Sequence, residues 1–148
     1  LSNEGKLHIA AMLNIVSEIE SIADSCFGCA KILLRKQESS VEFDELIYRN
    51  IDTMFGYVKE AMADMLILLG DVEKVREVDI IRSYNKEREI NNLRNQLRSN
   101  NVENINNRVY EYQSGIYYMD IINDLEKMGD YIINVVDTIR DHFRRHAI

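Results

Sequence analysis

Apolar residues recur at steps of three and four along most of the chain, the spacing of amphipathic helices. In residues 3–36, Ile9, Met12, Leu13, Val16, Ile19, Ala23, Phe27, Ala30 and Leu34 share one face and predict a first long helix. Residues 37–40 form a polar break. Ser39-Ser40-Val41-Glu42 then has the spacing of a capping box, with Ser39 accepting from a free N–H and Glu42 reaching back. A second helix runs to about Leu69 through Leu46, Ile47, Ile51, Met54, Val58, Met62, Met65 and Leu68. Gly70-Asp71 reads as a left-handed helix stop followed by an N-cap. The third helix, residues 71–99, has a thinner seam of Val75, Val78, Ile81, Ile90, Leu93 and Leu97 and is rich in asparagine. Asn100-Asn101 predicts the next break. A fourth helix over residues 102–145 would be roughly 60 Å long at 1.5 Å per residue. Gly115 and Gly129 weaken it without breaking it, and Arg140, Arg144 and Arg145 suit its negative pole. Short joints between long helices imply antiparallel neighbours, hence an all-α, up-and-down bundle of four long helices.

Composition narrows the function more than the fold. The 148 residues include no proline and six glycines, which disfavours the many turns of a β-sandwich or barrel. A 46% hydrophobic content excludes disorder, and the length suits a single domain over residues 1–148. The net charge of −7 argues against a general nucleic-acid binder, whose footprint is basic. No apolar run approaches the ~20 residues that span a bilayer. The chain starts at Leu1 rather than methionine, as expected of a piece of a longer protein. Cys26-Phe27-Gly28-Cys29 has the spacing of half a zinc site, but no second pair exists, and His8, His142 and His146 lie near the chain ends. The redox reading of the motif needs a βαβ context that this pattern lacks, so the two cysteines are expected to be ordinary helix residues. No phosphate loop and no nucleophile–base set is present, so the chain is read as a non-enzyme.

The chemistry lies in an internal repeat. Ile15-Val16-Ser17-Glu18-Ile19-Glu20-Ser21-Ile22-Ala23-Asp24 aligns with Ile121-Ile122-Asn123-Asp124-Leu125-Glu126-Lys127-Met128-Gly129-Asp130. Each copy holds Glu-x-x-x-Asp with a small residue before the aspartate. The spacing stacks two carboxylates one turn apart on one helix face, where like charges repel. Such a pair beside an apolar seam calls for a cation from elsewhere, an arginine on another helix or a metal. Glu60/Asp64, Glu73/Glu77, Asp120/Asp124 and Asp137/Asp141 show how easily the spacing arises in a chain with 25 acidic residues, so the repeat is what singles out two pairs. Asn123, Glu126, Asp130, Asn134 and Asp137 form a polar stripe on the fourth helix, the best candidate surface for a metal or a partner. Tyr110, Tyr112, Tyr117, Tyr118 and Tyr131 are expected to pack along the seam with their hydroxyls at its rim.

The segment Asp124-Leu125-Glu126-Lys127-Met128-Gly129-Asp130-Tyr131-Ile132-Ile133-Asn134 resembles the helix signature of the PhoU family, with Lys127 and Met128 at positions that hold arginine and isoleucine there. Together with Glu111-Tyr112-Gln113-Ser114-Gly115-Ile116-Tyr117-Tyr118-Met119-Asp120, it resembles the cytosolic C-terminal PhoU-like region of bacterial Na⁺/phosphate cotransporter proteins. The resemblance implies a six-helix fold of two three-helix repeats. Residues 1–36 would be the last helix of the first repeat and residues 40–148 the whole of the second. It also implies a divalent metal or iron at Glu126 and Asp130, with Glu20 and Asp24 as the other repeat's equivalents. The second-helix motif maps onto Glu87-Arg88-Glu89-Ile90-Asn91, contributing Glu87 but a neutral Asn91 where an aspartate stands in the family. The absence of Glu-x-x-His motifs argues against a ferritin-type di-iron enzyme.

The expected role is a regulatory or interaction domain on the cytoplasmic face of the inner membrane. It would be joined to the transmembrane phosphate cotransporter domain of the same polypeptide and would couple phosphate status, a metal or a partner to transport. The rivals are a stand-alone PhoU-like negative regulator of phosphate-uptake signalling, a carboxylate-metal enzyme, and a purely structural helical dimer. If two helices of the first repeat lie elsewhere, the first helix should expose an apolar strip and the chain should pair as a homodimer through it.

Overall fold

A computed structural model describes residues 2–143. Among these, four long helices, α1 (Asn3–Glu38), α2 (Glu45–Gly70), α3 (Glu77–Asn106) and α4 (Tyr112–His142), carry the fold, with a one-turn 3₁₀ helix at Val72–Lys74 and no strand. The all-α bundle expected from the periodicity is therefore the observed one. Helix α4 is its axis and packs on α1, α2 and α3. Its Ile122, Val135, Val136 and Ile139 are fully buried. Each such side chain contributes about 1.5–3 kcal/mol of apolar burial.

The joints differ from the sequence reading. Ser39 closes α1 rather than opening α2: its hydroxyl donates to Lys36 O at 2.8 Å and accepts from Val41 N–H at 3.1 Å. The cap of α2 is Asp44, whose carboxylate accepts from Ile47 N–H at 2.8 Å. Between them Val41 and Phe43 turn inward and are buried, which holds the linker against the core. Gly70 is not left-handed, since no glycine among the described residues has a positive φ. The chain instead passes through the 3₁₀ turn, and α3 begins at Glu77, with the Asp79 carboxylate accepting from Arg76 N–H at 3.1 Å.

The predicted break at Asn100-Asn101 is continuous helix. Asn101 is buried, its Nδ2 donating to Gly115 O at 3.4 Å and its Oδ1 accepting from Tyr110 O–H at 2.7 Å. Asparagine is a poor helix former in isolation, but here two tertiary hydrogen bonds hold it inside α3. The turn lies later, where Arg108 takes the left-handed φ of 57°. Helix α4 accordingly starts at Tyr112, ten residues after the expected start, and its 31 residues span about 46 Å. Of its predicted basic end, Arg140 lies in the last turn, while Arg144 and Arg145 lie outside the described residues, as does His146.

Two glycines set the distance between α3 and α4. A methyl group on Gly115 would come within 2.5 Å of Ile105 Cδ1, and one on Gly129 within 3.3 Å of Ile90 Cγ2. Helix α2 buries Ile47, Met54, Val58, Met65 and Leu68 of its expected seam, half-buries Ile51 and Met62 and leaves Leu46 exposed, whereas Val78 and Ile81 of α3 face outward and Ile80 and Ser83 face in.

The apolar strip expected to be uncovered on the first helix is exposed in α1: Leu13 and Phe27 are each 64% exposed, and Met12, Val16, Ile19 and Leu34 are also exposed. The side packed on α4 is instead Ala11, Ile15, Ile22, Ser25 and Ile32. Periodicity shows that a helix has an apolar face; with two such faces it does not say which one the neighbour takes.

Candidate functional site

Glu126 and Asp130 project from α4 one turn apart. The cation that this pair calls for is Arg94 of α3, whose Nη2 lies 3.9 Å from Glu126 Oε1, with the two side chains only 24% and 13% exposed. Burial first, then repulsion from Glu126 and a hydrogen bond to it, push the Asp130 carboxyl up to about 6 against the opposing charge of Arg94. The adjacent Gly129 is what lets α3 come close enough for the arginine to reach. Glu87 and Asn91 stand on the same stretch of α3, and there Asn91 Nδ2 donates to Glu87 Oε1 at 2.5 Å. Asn91 Oδ1 and Arg94 Nε are buried without a protein partner.

The structure does not bring the remaining expected ligands to this place. Glu20 and Asp24 are exposed on α1. Among the described residues, no three His, Cys, Asp or Glu side chains gather as a group that could hold a metal ion. The polar stripe of α4 is divided between its neighbours. Asn134 Nδ2 donates to Glu18 Oε2 of α1 at 3.2 Å. Asp137 accepts from the Tyr84 hydroxyl of α3 and lies 3.6 Å from Arg140 Nη1. Burial, with the Asp137 contact behind it, pushes the Tyr84 hydroxyl up to about 12. Arg94 was missed in the sequence because nothing in a single chain gives the register between two helices. The one local signal was the small residue ahead of the aspartate, which marks a close approach.

Cys26 is exposed and Cys29 half-buried, and both are free thiols. Cys29 Sγ lies 3.9 Å from Ile121 O, and burial pushes its thiol up to about 12, far from the range of a reactive thiolate. Of the tyrosines, Tyr118 is buried, Tyr110, Tyr117 and Tyr131 are half-buried, and Tyr112 is exposed.

The α1–α4 contact extends the internal repeat. The two helices run antiparallel, with Asn14 Nδ2 donating to Thr138 Oγ1 at 2.9 Å and Gly28 set against Asp124. In the alignment of the two copies, the α1 residues facing α4, Ile15 and Ile22, correspond to Ile121 and Met128. The exposed Val16, Ile19 and Ala23 correspond to Ile122, Leu125 and Gly129, all buried, Gly129 against Ile90 of α3. The same register carried outward matches exposed Met12 with buried Tyr118 and exposed Leu33 with buried Ile139. Helix α1 therefore presents to solvent the seam by which α4 holds α2 and α3. At one end of it, His8, Met12, Leu13, Val16, Leu69 and Phe143 line an apolar cavity of about 480 Å³.

Residues 51–139 match the PhoU domain family, more than half of the chain. The chain belongs to the PhoU domain family. The matched stretch contains Glu87, Asn91, Arg94, Glu126 and Asp130, and it begins after α1. No curated protein and no solved structure matches the chain. In this PhoU domain the donor set fits a resident metal poorly: α3 sets the neutral Asn91 beside Glu87, and a permanently charged guanidinium sits beside the α4 pair. None of the helices is long and apolar enough to cross a membrane.

Proposed function

We propose that this PhoU domain is a regulatory interaction module for phosphate transport, working through contacts rather than catalysis, and that the exposed seam of α1 is its contact face. The observation that carries the reading is the reversal of burial between equivalent positions of α1 and α4. A face that packs two helices in one copy of the repeat is bare in the other. An apolar stripe of this length on one face is what a helical partner covers. We further propose that the covering helices lie elsewhere in the same polypeptide, attached to a transmembrane Na⁺-dependent phosphate cotransporter. A partner on that seam could bias transport only by binding the transporter's states unequally. Without those helices, two copies of the chain cover the seam by pairing.

The test uses Val16→Glu with Ile19→Glu. In sedimentation, the chain should form dimers at micromolar concentration and the double variant should remain monomeric with unchanged helix content. In the full-length protein, the same substitutions should alter the phosphate dependence of Na⁺-driven phosphate uptake in vesicles. Unchanged uptake and monomeric wild-type chain would remove the interaction reading.

A further inference from the structure

We infer that Arg94 is the resident cation of the Glu126–Asp130 site, and that this domain holds its paired carboxylates without a divalent metal. Three independent features of the site converge on this. The guanidinium lies 3.9 Å from Glu126 with both side chains largely buried, so a fixed positive charge already stands beside the carboxylate that a dication would have to share. A guanidinium stays charged at any pH the protein meets, and its positive charge repels an incoming cation. The facing stretch of α3 offers no second carboxylate pair: Glu87 is engaged by Asn91 at 2.5 Å, and Asn91 itself brings a neutral oxygen. Hard divalent ions take six or more oxygen ligands and rely on several anionic ones, and the described residues gather no group of three such side chains.

The arrangement also answers a packing problem. Two carboxylates one turn apart on the central helix of the bundle would be unpaired if α3 carried an aliphatic residue at position 94. Burial of an uncompensated charge is far more costly than burial of a paired one. Arg94 thus ties α3 to α4 electrostatically at the point where Gly129 lets Ile90 pack closest. The site then acts as a clamp between two helices, and the domain's fold becomes independent of metal supply.

Two measurements decide the inference. The first is retention of Mn²⁺, and of Fe²⁺ under anaerobic conditions, after equilibrium dialysis of the intact chain. The wild type should retain no more than Glu126→Gln/Asp130→Asn. One equivalent retained by the wild type and lost in the double variant would overturn the inference. The second is thermal unfolding in the presence of a chelator. Arg94→Met should lower Tm by several degrees, and adding Glu126→Gln to it should recover most of the loss, because the unpaired charge is then gone. Arg94→Lys, which keeps the charge but not the fork, should fall between wild type and Arg94→Met, and it serves if Arg94→Met does not fold. A Tm unaffected by Arg94→Met, or no recovery in the double variant, would show that the arginine is not the partner of these carboxylates.

Discussion

Helices α1 and α4 carry the same pattern and meet opposite fates. Position for position, Val16, Ile19 and Ala23 repeat Ile122, Leu125 and Gly129, yet the first three face solvent and the second three are buried. Their acidic pairs diverge in the same way. Glu126 and Asp130 are drawn into the bundle and meet Arg94, whereas Glu20 and Asp24 stay in water. The contrast teaches that an apolar seam is a capacity for packing. Whether it becomes core depends on whether another element arrives.

The sharpest way to break the comparison is by truncation at equivalent seam positions. Leu125→Ala should cost about 2–5 kcal/mol, as buried leucines do. Ile19→Ala should change the monomer's stability by less than about 0.5 kcal/mol. Urea denaturation at low protein concentration measures both, and equal costs would mean that α1's seam is covered within a single chain. Enlargement at the small residue should have a somewhat smaller effect. Gly129→Val should cost about 1–3 kcal/mol, because its Cβ already stands 3.3 Å from Ile90, while the exposed Ala23→Val should be close to neutral; thermal melts of the two variants read the difference.

The acidic pairs give the smallest effect and a pH signature. An aspartate raised to about 6 in the fold binds its proton more tightly there than in the unfolded chain. Its stabilising contribution is complete below the ordinary aspartate pKa and is lost as pH rises through about 6. Asp130→Asn should therefore stabilise the protein at pH 8 by about 1 kcal/mol, after solvent screening of a partly exposed group, and should have little effect at pH 4. Denaturation of the wild type and Asp130→Asn at the two pH values measures this, and an equal effect at pH 8 and pH 4 would mean that Asp130's environment is not special.

Much of the architecture was legible because helical periodicity is local. The existence of four helices, the repeat and the Glu126/Asp130 pair could all be read from spacing. The joints were less legible, each for a nameable reason. Asn100-Asn101 looked like a break because asparagine favours turns, but Asn101 is held in α3 by Tyr110 and the Gly115 carbonyl. Ser39 fitted a capping box, yet Asp44 caps α2 because Val41 and Phe43 are drawn into the core and delay the helix.

By itself the sequence determined that this protein is built of long amphipathic helices, that two of them share a motif, and that the motif sets carboxylates one turn apart. These follow from bond geometry and from residues within a few positions of each other. Only the tertiary structure decided which of α1's two apolar faces is core, which cation meets the acidic pair, and that the pair at Glu20 and Asp24 meets none of the expected partners. Those outcomes depend on the register between helices far apart in the chain, which is set by how tightly side chains such as Ile90 and Gly129 fit together, and no local spacing encodes that fit.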